Sequence, residues 1–211
     1  MSESSAHPIR ESHNLAASPR LFRNPILDKL SRVNHWTPAI LYLPAIGLLL
    51  WLAVLRLSVG PIILAIVGGY VLWTLFEYFM HKEVFHLVPP GAWGARLHFL
   101  IHGVHHDHPH DPLRLVMPPL VSVPILLVVF LVLRLVCGPD WAPPVAAGFI
   151  AGYVAYDMLH YHLHHSRPRG RWDAALRRRH MLHHFQDSAR GFGISCPWWD
   201  DLLGTKPGLR D

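Results

Sequence analysis

Histidine is the residue type through which this sequence could do chemistry. The chain holds 18 histidines among 211 residues, and most of them fall into four short groups. The groups read HKEVFH at 81–86, HGVHH at 102–106, HYHLHH at 160–165 and HMLHH at 180–184. Imidazole is a common ligand of transition metals, and crowded imidazoles repel one another when protonated. The grouping therefore predicts a metal site.

Helical spacing indicates which histidines within a group can act together. Residues three and four apart lie on one face of a helix. Each HxxHH group, 102–106 and 180–184, therefore directs its three histidines to one side. In the third group His160 converges with His164, whereas His162 points roughly opposite His160.

The first group is harder to fit to a regular helix. His81 and His86 are five residues apart, which places them about 140° apart around an α-helix. The pair can converge only at a helix end or across a local distortion of the helix. We therefore expect irregular backbone at this point.

The number of histidines indicates more than one metal ion. Two HxxHH groups, the 160/164 pair and the 81/86 pair give ten candidate ligands, more than one tetrahedral zinc ion accepts. Ligand softness does not choose between iron, zinc, copper and nickel. An all-histidine dinuclear site beside lipid suggests oxygen activation at iron, and two zinc ions in a hydrolytic site remain an alternative.

Apolar runs on either side of the histidine groups indicate a membrane protein. Apolar residues make up 51% of the chain and charged residues 16%, well below the share in soluble domains. About 20 apolar residues cross a bilayer. The fourth run is short, and we expect its helix to continue into water and carry the third histidine group. The predicted spans are about 37–55, 57–80, 115–136 and 141–161.

The distribution of basic residues predicts the orientation. Lys and Arg number five before the first run, three within 77–114 and nine from 157 onward, but one in each of the two remaining connections. The positive-inside rule therefore places every histidine group on the cytoplasmic side. Two long hairpins buried in one leaflet are the alternative. Residues 1–30 are expected to be a flexible leader, and 31–211 one membrane domain.

Other function classes fit the sequence poorly. The net charge of +5 arises from basic residues beside the spans and the histidine groups, not from a separate nucleic-acid-binding domain. Cys137 and Cys196 have no zinc-finger or CxxC spacing, so a disulfide framework or thiolate site is not expected. The beginning of the sequence shows no apolar segment followed by a cleavage site, so a secretory signal is not expected.

Three long stretches make the sequence similar to a known family. They are LHFLIHGVHHDHPHDPLRLVMPP at 97–119, YDMLHYHLHH at 156–165 and HMLHHFQDSARGFGISCPWWDDLLGT at 180–205. With the first histidine group, they resemble the fatty acid hydroxylase/sterol desaturase superfamily, and within it the fatty acid 2-hydroxylases. The resemblance covers about residues 76–205.

The resemblance implies an all-α integral membrane fold, a four-transmembrane-helix bundle with a cytoplasmic histidine-rich helical cap holding two iron ions. Zinc could replace iron in a purified sample. Asp157 and Tyr156 match a family position and could support a ligand, although packing or helix termination explains Asp157 equally well. Glu77 suggests a similar role. The implied ligands are His81, His86, His102, His105, His106, His160, His164, His180, His183 and His184.

The implied reaction is hydroxylation of the C2 carbon of a fatty acyl chain, with O2 and two electrons. The 36 residues before the first run leave no room for a cytochrome b5 domain, so we expect a separate donor, cytochrome b5-like or ferredoxin-like. The Arg-rich stretch 167–179 suits either an acidic donor or anionic lipid. Alternatives are an oxygenase acting on a sterol, carotenoid or alkyl lipid, and a non-catalytic metal-binding membrane protein. The expected location is a bacterial inner membrane or the endoplasmic reticulum.

Overall fold

The fold is helical throughout the part of the chain that the structure describes. A computed structural model describes residues 14–208, and that range contains no β-strand. The helices are α1 (Pro25–Leu30), α2 (Thr37–Val54), α3 (Val59–Phe79), the π-helix π1 (Met80–Phe85), α4 (Gly91–His98), the π-helix π2 (Phe99–Gly103), α5 (Val104–Asp107), α6 (Pro119–His165), α7 (Arg171–Phe185) and α8 (Trp198–Leu202).

Three helices give the protein its membrane character. Within residues 14–208, α2, α3 with its π1 continuation, and α6 are long and apolar enough to cross a bilayer. Large apolar side chains on these helices face outward, with Ile40 72% exposed, Leu64 69% and Leu135 86%. A soluble domain would bury such residues, whereas a lipid environment accepts them. The expected membrane protein is confirmed.

Helix α6 consists of two arms that reverse direction at Gly138. Gly138 has φ +79° and ψ 173°, a conformation outside the helical region that favours glycine. Leu126 on the first arm shares a core cluster with Ile150 on the second, and Leu133 shares another with Ala142. Because the paired residues are about equally far from Gly138, the arms are antiparallel. They correspond to the third and fourth apolar runs.

The ends of α6 differ from the sequence-based bounds for physical reasons. The first arm begins at Pro119, later than the expected position 115, because Pro118 is extended, with ψ 141°. Leu115 lies outside the helix and packs with Val33. The second arm continues to His165, so the expected extension that carries the third histidine group is confirmed.

Glycines allow α3 and the second arm of α6 to pack backbone against backbone. A Cβ added at Gly69 would lie 2.0 Å from the carbonyl oxygen of Val145. A Cβ at Gly148 would lie 2.0 Å from that of Ile66, and one at Gly152 would meet the side chain of Trp73. Close approach through small residues four apart is typical of helix packing in membranes. This contact fixes the depth of α3 relative to α6.

The four histidine groups lie at the same end of the helical bundle. At this end, the ring of Tyr161 stacks on His35, 4.0 Å away between centroids, and on His165, 4.2 Å away. The stack joins the beginning of α2 to the end of α6. Leu49 on α2 packs near Gly138 at the opposite end, where α2 also connects to α3.

The described part of the predicted leader is packed against this histidine end. Asp28 accepts hydrogen bonds from the backbone N–H groups of Leu21, at 2.7 Å, and Phe22. Arg114 donates to Asp28 and to the carbonyl oxygen of Pro19. Flexibility was expected for residues 1–30; residues 14–30 are instead held by specific contacts, and residues 1–13 lie outside the described range.

Candidate metal centre

The π-helix π1 brings the first pair of histidines together. The backbone N–H of His86 donates to the carbonyl oxygen of His81 at 3.3 Å, an i to i+5 bond. The wider turn of a π-helix moves the two side chains toward one face, and their ring centroids are 5.0 Å apart. The expected distortion of the helix is therefore confirmed, and it continues α3 without a break.

The ten histidines meet in two clusters of five, in which one nitrogen from each ring lies within 4.8 Å of the others. The clusters are neighbours, because the rings of His106 in one and His184 in the other stack at 4.3 Å. Eight of the ten rings are buried, and His86 and His106 are partly exposed. Cluster A consists of His81, His86, His102, His106 and His183. Cluster B consists of His105, His160, His164, His180 and His184.

The two HxxHH groups are each divided between the clusters. The i,i+4 pairs stay together, whereas the intermediate histidine reaches the other cluster: His105 joins cluster B and His183 joins cluster A. The centroid of His105 is 4.7 Å from that of His160, and that of His183 is 4.7 Å from that of His81. The expectation that all three histidines of one group act at one point is thus corrected. The helical face formed by three histidines is wide enough for its side chains to reach two neighbouring clusters.

Ring nitrogens in cluster A point toward one another. The Nε2 atom of His102 lies 3.1 Å from Nε2 of His81 and 3.0 Å from Nε2 of His106. Ligands at about 2.1 Å from a metal and at right angles are about 3 Å apart. Neutral nitrogens aimed at each other at this distance repel unless a proton or a cation lies between them. The cluster therefore fits a metal ion.

Cluster B shows the same convergence. The Nε2 atom of His180 lies 2.7 Å from that of His164 and 3.1 Å from that of His184. The Nε2 atoms of His105 and His160 are buried with no hydrogen-bond partner in the structure. Buried polar atoms without partners are costly in a folded protein. A metal ion at the centre of the cluster would satisfy them.

Burial favours the neutral, metal-binding form of His105 and His183. Burial lowers the pKa of His105 to about 3, with further repulsion from His183 and His165. Burial also lowers the pKa of His183 to about 4, although the carbonyl of Arg190 acts in the opposite direction. Neutral imidazole is the ligand form. These rings are therefore ready to bind a cation without first losing a proton at neutral pH.

Two ligand candidates of cluster A are oriented by backbone carbonyl groups. Nδ1–H of His81 donates to the carbonyl oxygen of Phe192 at 2.8 Å, and Nδ1–H of His183 donates to that of Arg190 at 2.7 Å. This pairing fixes the tautomer and leaves Nε2 free as a ligand atom. We call residues 190–195, which supply both carbonyls, the carbonyl loop.

Glu77 acts on the carbonyl loop rather than on a histidine. Its Oε1 accepts from the backbone N–H groups of Ile194, at 2.7 Å, and Ser195, at 2.8 Å, and its Oε2 pairs with the Ser195 hydroxyl. The direct contact with a ligand that we expected for Glu77 is therefore wrong. Glu77 already satisfies successive amides of the loop that orients His81.

Tyr156 and Asp157 lie on α6 just before the third histidine group. The ring of Tyr156 packs on His160, with centroids 5.6 Å apart. Asp157 is buried, and the neighbours of its carboxyl group are the amide of Met117 and the side chain of Tyr153. Tyr156 thus contacts a candidate ligand, and Asp157 ties α6 to the segment that precedes it.

Other histidines at this end lie outside both clusters. Nε2 of His162 is 2.8 Å from the Asp173 carboxylate, and His165 stacks on Tyr161. His98 lies beside Gly103, outside the two groups of convergent nitrogens. The ligand set implied by the family resemblance also leaves these three residues out.

Sequence reasoning missed the residues that support cluster A from the C-terminal segment. Asp200 is buried, and its two carboxylate oxygens each accept from one backbone N–H, of Phe192 and of Gly193, both at 2.9 Å. In the sequence Asp200 is indistinguishable from Asp201, which forms surface ion pairs. The spacing of residues in the stretch GFGIS at 191–195 gave no reason to link it to His81.

The fold and the site define a class: an all-helical membrane protein with two adjacent all-histidine clusters that can hold metal ions. A family model described as fatty acid hydroxylase matches residues 66–205. The chain belongs to the fatty acid hydroxylase family, which confirms the resemblance.

Curated relatives and a solved structure agree with this membership. A dihydroceramide fatty acyl 2-hydroxylase of Arabidopsis thaliana is 36% identical over 193 residues, covering 91% of this chain and 81% of the relative. A ceramide very long chain fatty acid hydroxylase of Saccharomyces cerevisiae is 35% identical, and the match covers 93% of this chain and 51% of the relative. A solved structure of full-length Scs7p, with only its hydroxylase domain visible, matches with a TM-score of 0.82 and 31% identity. The match covers 86% of this chain and 70% of the Scs7p chain.

Proposed function

We propose that this enzyme is a di-iron monooxygenase that hydroxylates the C2 carbon of a fatty acyl chain. One oxygen atom of O2 enters the C–H bond, and the other leaves as water after uptake of two electrons and two protons. The single observation that carries the proposal is the pair of five-histidine clusters carried by helices long and apolar enough to cross a membrane. The names of the relatives favour the acyl chain of a ceramide-type lipid as the acceptor.

A small apolar cavity of about 20 Å³ lies between α3 and α6, so an acyl chain would enter it only after the lining side chains move apart. At one end it is lined by Met80, which precedes His81, by Phe85, which precedes His86, and by Tyr156, which packs on His160. Toward the bundle interior it is lined by apolar residues such as Leu126. A chain lying with its methyl end among these residues presents the carbons next to its head group to the clusters. The preference for C2 follows the relatives, one of which is named a dihydroceramide fatty acyl 2-hydroxylase.

The ten histidines would hold two iron ions, five imidazoles to each. Bound iron supplies the oxygen-activating chemistry that amino acid side chains lack. The chain itself keeps the imidazoles neutral and oriented, excludes bulk water through burial, and presents the acyl carbon. Zinc accepts the same imidazole ligands and can occupy the sites in a purified sample.

The topology we infer has four membrane crossings, because each arm of α6 counts as one span beside α2 and α3. The hydroxylase domain comprises residues 31–211. With basic residues concentrated beside the histidine groups, the clusters form a cap on the cytoplasmic side. The corresponding location is a bacterial inner membrane or the endoplasmic reticulum.

The electrons would come from a separate donor, such as a cytochrome b5-like or ferredoxin-like protein. Arg167 just before α7, Arg171 at its beginning and Arg178 in its middle are exposed, and this helix carries His180 and His184. Replacing Arg167 and Arg171 with Glu should raise the KM for an acidic donor several-fold, since surface charge acts mainly on association. Steady-state turnover against donor concentration tests this prediction. An unchanged KM would assign these arginines to lipid.

Product analysis tests the proposed reaction. Membranes from a host without 2-hydroxy lipids, expressing this protein, are supplied with labelled fatty acid, acyl-CoA or dihydroceramide and analysed by mass spectrometry. We expect a 2-hydroxy product from one of these forms. A metal-loaded, folded protein that yields no 2-hydroxy product from any of them, or that oxidises a sterol, carotenoid or alkyl lipid instead, would reject the acyl substrate.

A further inference from the structure

We infer that the carbonyl loop is a clamp that makes cluster A the more tightly binding of the two metal sites. The inference rests on the proposed metal-binding function and adds a difference between the two centres. The positioning residues are Glu77 and Asp200, which hold the loop, and the loop in turn holds two imidazoles of cluster A. Neither carboxylate is itself a ligand.

The two carboxylates accept four consecutive backbone N–H groups. Asp200 accepts those of Phe192 and Gly193, one on each oxygen at 2.9 Å, and Glu77 accepts those of Ile194 and Ser195 through Oε1. Hydrogen bonds to a charged acceptor are about twice as strong as neutral ones. With these four amides bound, the peptide groups from Gly191 to Ser195 have little freedom to rotate. The remaining one, between Arg190 and Gly191, donates its N–H to the carbonyl oxygen of Thr205 at 2.8 Å.

The clamp is anchored on two different elements. Glu77 belongs to α3, one helical turn before His81, whereas Asp200 belongs to α8 near the C-terminal end of the fold. The Thr205 hydroxyl lies 2.8 Å from both Asp200 Oδ1 and the hydroxyl of the α3 residue Tyr78. The loop is thus held from both sides, and its carbonyl groups point at fixed places relative to α3.

The carbonyl loop acts on cluster A by orienting the rings of His81 and His183. Their Nδ1–H groups donate to the carbonyl oxygens of Phe192 and Arg190, so each Nε2 is directed into the cluster before any metal arrives. Preorganised ligands lose less conformational entropy when they bind a metal. Loss of such supporting contacts typically costs 10–100-fold in metal affinity.

Cluster B lacks comparable support. The Nδ1 atoms of four of its histidines are buried and have no hydrogen-bond partner in the structure. Their rings are placed by packing alone, as the contact of Tyr156 with His160 illustrates. Packing restricts a ring less in rotation and does not fix its tautomer. The four histidines are His160, His164, His180 and His184.

The test is a chelator challenge of the full-length protein loaded with metal. We expect two equivalents to leave in two phases that differ by about tenfold or more, in line with the supporting contacts of one cluster. Removing a ligand assigns the phases: the His164→Ala protein, which keeps cluster A, should release its ion slowly. The His86→Ala protein, which keeps cluster B, should release its ion fast. Equal rates for these two proteins would overturn the inference.

Asp200→Asn tests the clamp itself. Both oxygens of Asp200 accept from backbone N–H groups. The asparagine side chain has only one acceptor oxygen, so its NH2 group would face one of these N–H groups and that hydrogen bond would be lost. The slow phase should then move to the rate of the fast phase. Asp201→Asn is the matched control, since the neighbouring Asp201 pairs with Arg179 and Lys206 at the surface, and it should leave both phases unchanged.

A second substitution guards against misfolding of the Asp200 variant. Glu77→Gln keeps an acceptor oxygen for both amides and places an NH2 group beside the Ser195 hydroxyl, so release should stay close to wild type. Glu77→Ala should accelerate the slow phase. If the two Glu77 variants behave alike, the clamp is not the cause. A folded wild-type protein that binds no metal would refute the proposed function, whereas two equivalents released at one rate would refute the clamp alone.

Discussion

Replacing His105 with alanine should lower formation of the 2-hydroxy product by about 100-fold or more. His105 is buried between four other histidines of cluster B, and its Nε2 has no other partner. Alanine removes one ligand of that cluster and leaves a cavity beside the remaining rings. His105 also illustrates the exchange between clusters, because its helical neighbours His102 and His106 belong to cluster A.

The matched control is His162→Ala. His162 lies in the middle of the third histidine group, but its ring faces Asp173 instead of either cluster. Product formation by this variant should stay within a few-fold of wild type. Equal losses for His105→Ala and His162→Ala, measured at equal amounts of folded protein, would contradict the assignment of His105 to a metal centre.

Gly69→Ala should lower the free energy of unfolding by about 3 kcal/mol, at the upper end of overpacking effects. The added methyl group would lie 2.0 Å from the carbonyl oxygen of Val145, which is backbone and has no rotamer through which to yield. Helix α3 and the second arm of α6 would have to separate. Because α3 leads into π1 and α6 carries His160 and His164, separation would also displace both clusters.

Gly68→Ala provides the control one residue away. A Cβ at Gly68 meets nothing within 4 Å, so alanine should be neutral or slightly stabilising through its better helix propensity. Thermal unfolding in detergent compares the two variants. Similar Tm values for Gly68→Ala and Gly69→Ala would show that the close contact between α3 and α6 does not support the fold.

Much of the site could be predicted because metal ligation leaves a pattern in the sequence. The four histidine groups, the exclusion of His162 and the irregular backbone at the 81/86 pair followed from spacing, whereas the exclusion of His165 followed from the resemblance to the family. The geometry of a helix decides which side chains share a face, and five-residue spacing requires a π-type turn. The division of each HxxHH group between two clusters did not follow from spacing. Spacing shows which face of a helix the side chains share, but not how many metal sites lie beside that face.

The support of cluster A could not be predicted for a physical reason. It depends on backbone carbonyl groups of Arg190 and Phe192, which every residue type has and which therefore leave no signal in the side chains. The distinction between Asp200 and Asp201 depends on which way a short helix turns. The two antiparallel arms of α6 correspond to runs that the sequence predicted, but the beginning of the first arm at Pro119 did not follow from the length of its apolar run.

The most direct test of the account is the metal content of the purified, folded protein, combined with X-ray absorption at the metal edge. The account predicts two equivalents per chain in an environment of imidazole nitrogen. It also predicts that His183→Ala and His105→Ala each lower the content, although the two residues come from different helices and serve different clusters. A native-like protein that takes up less than one equivalent after reconstitution with ferrous iron or zinc, or a first shell dominated by oxygen or sulfur, would contradict it.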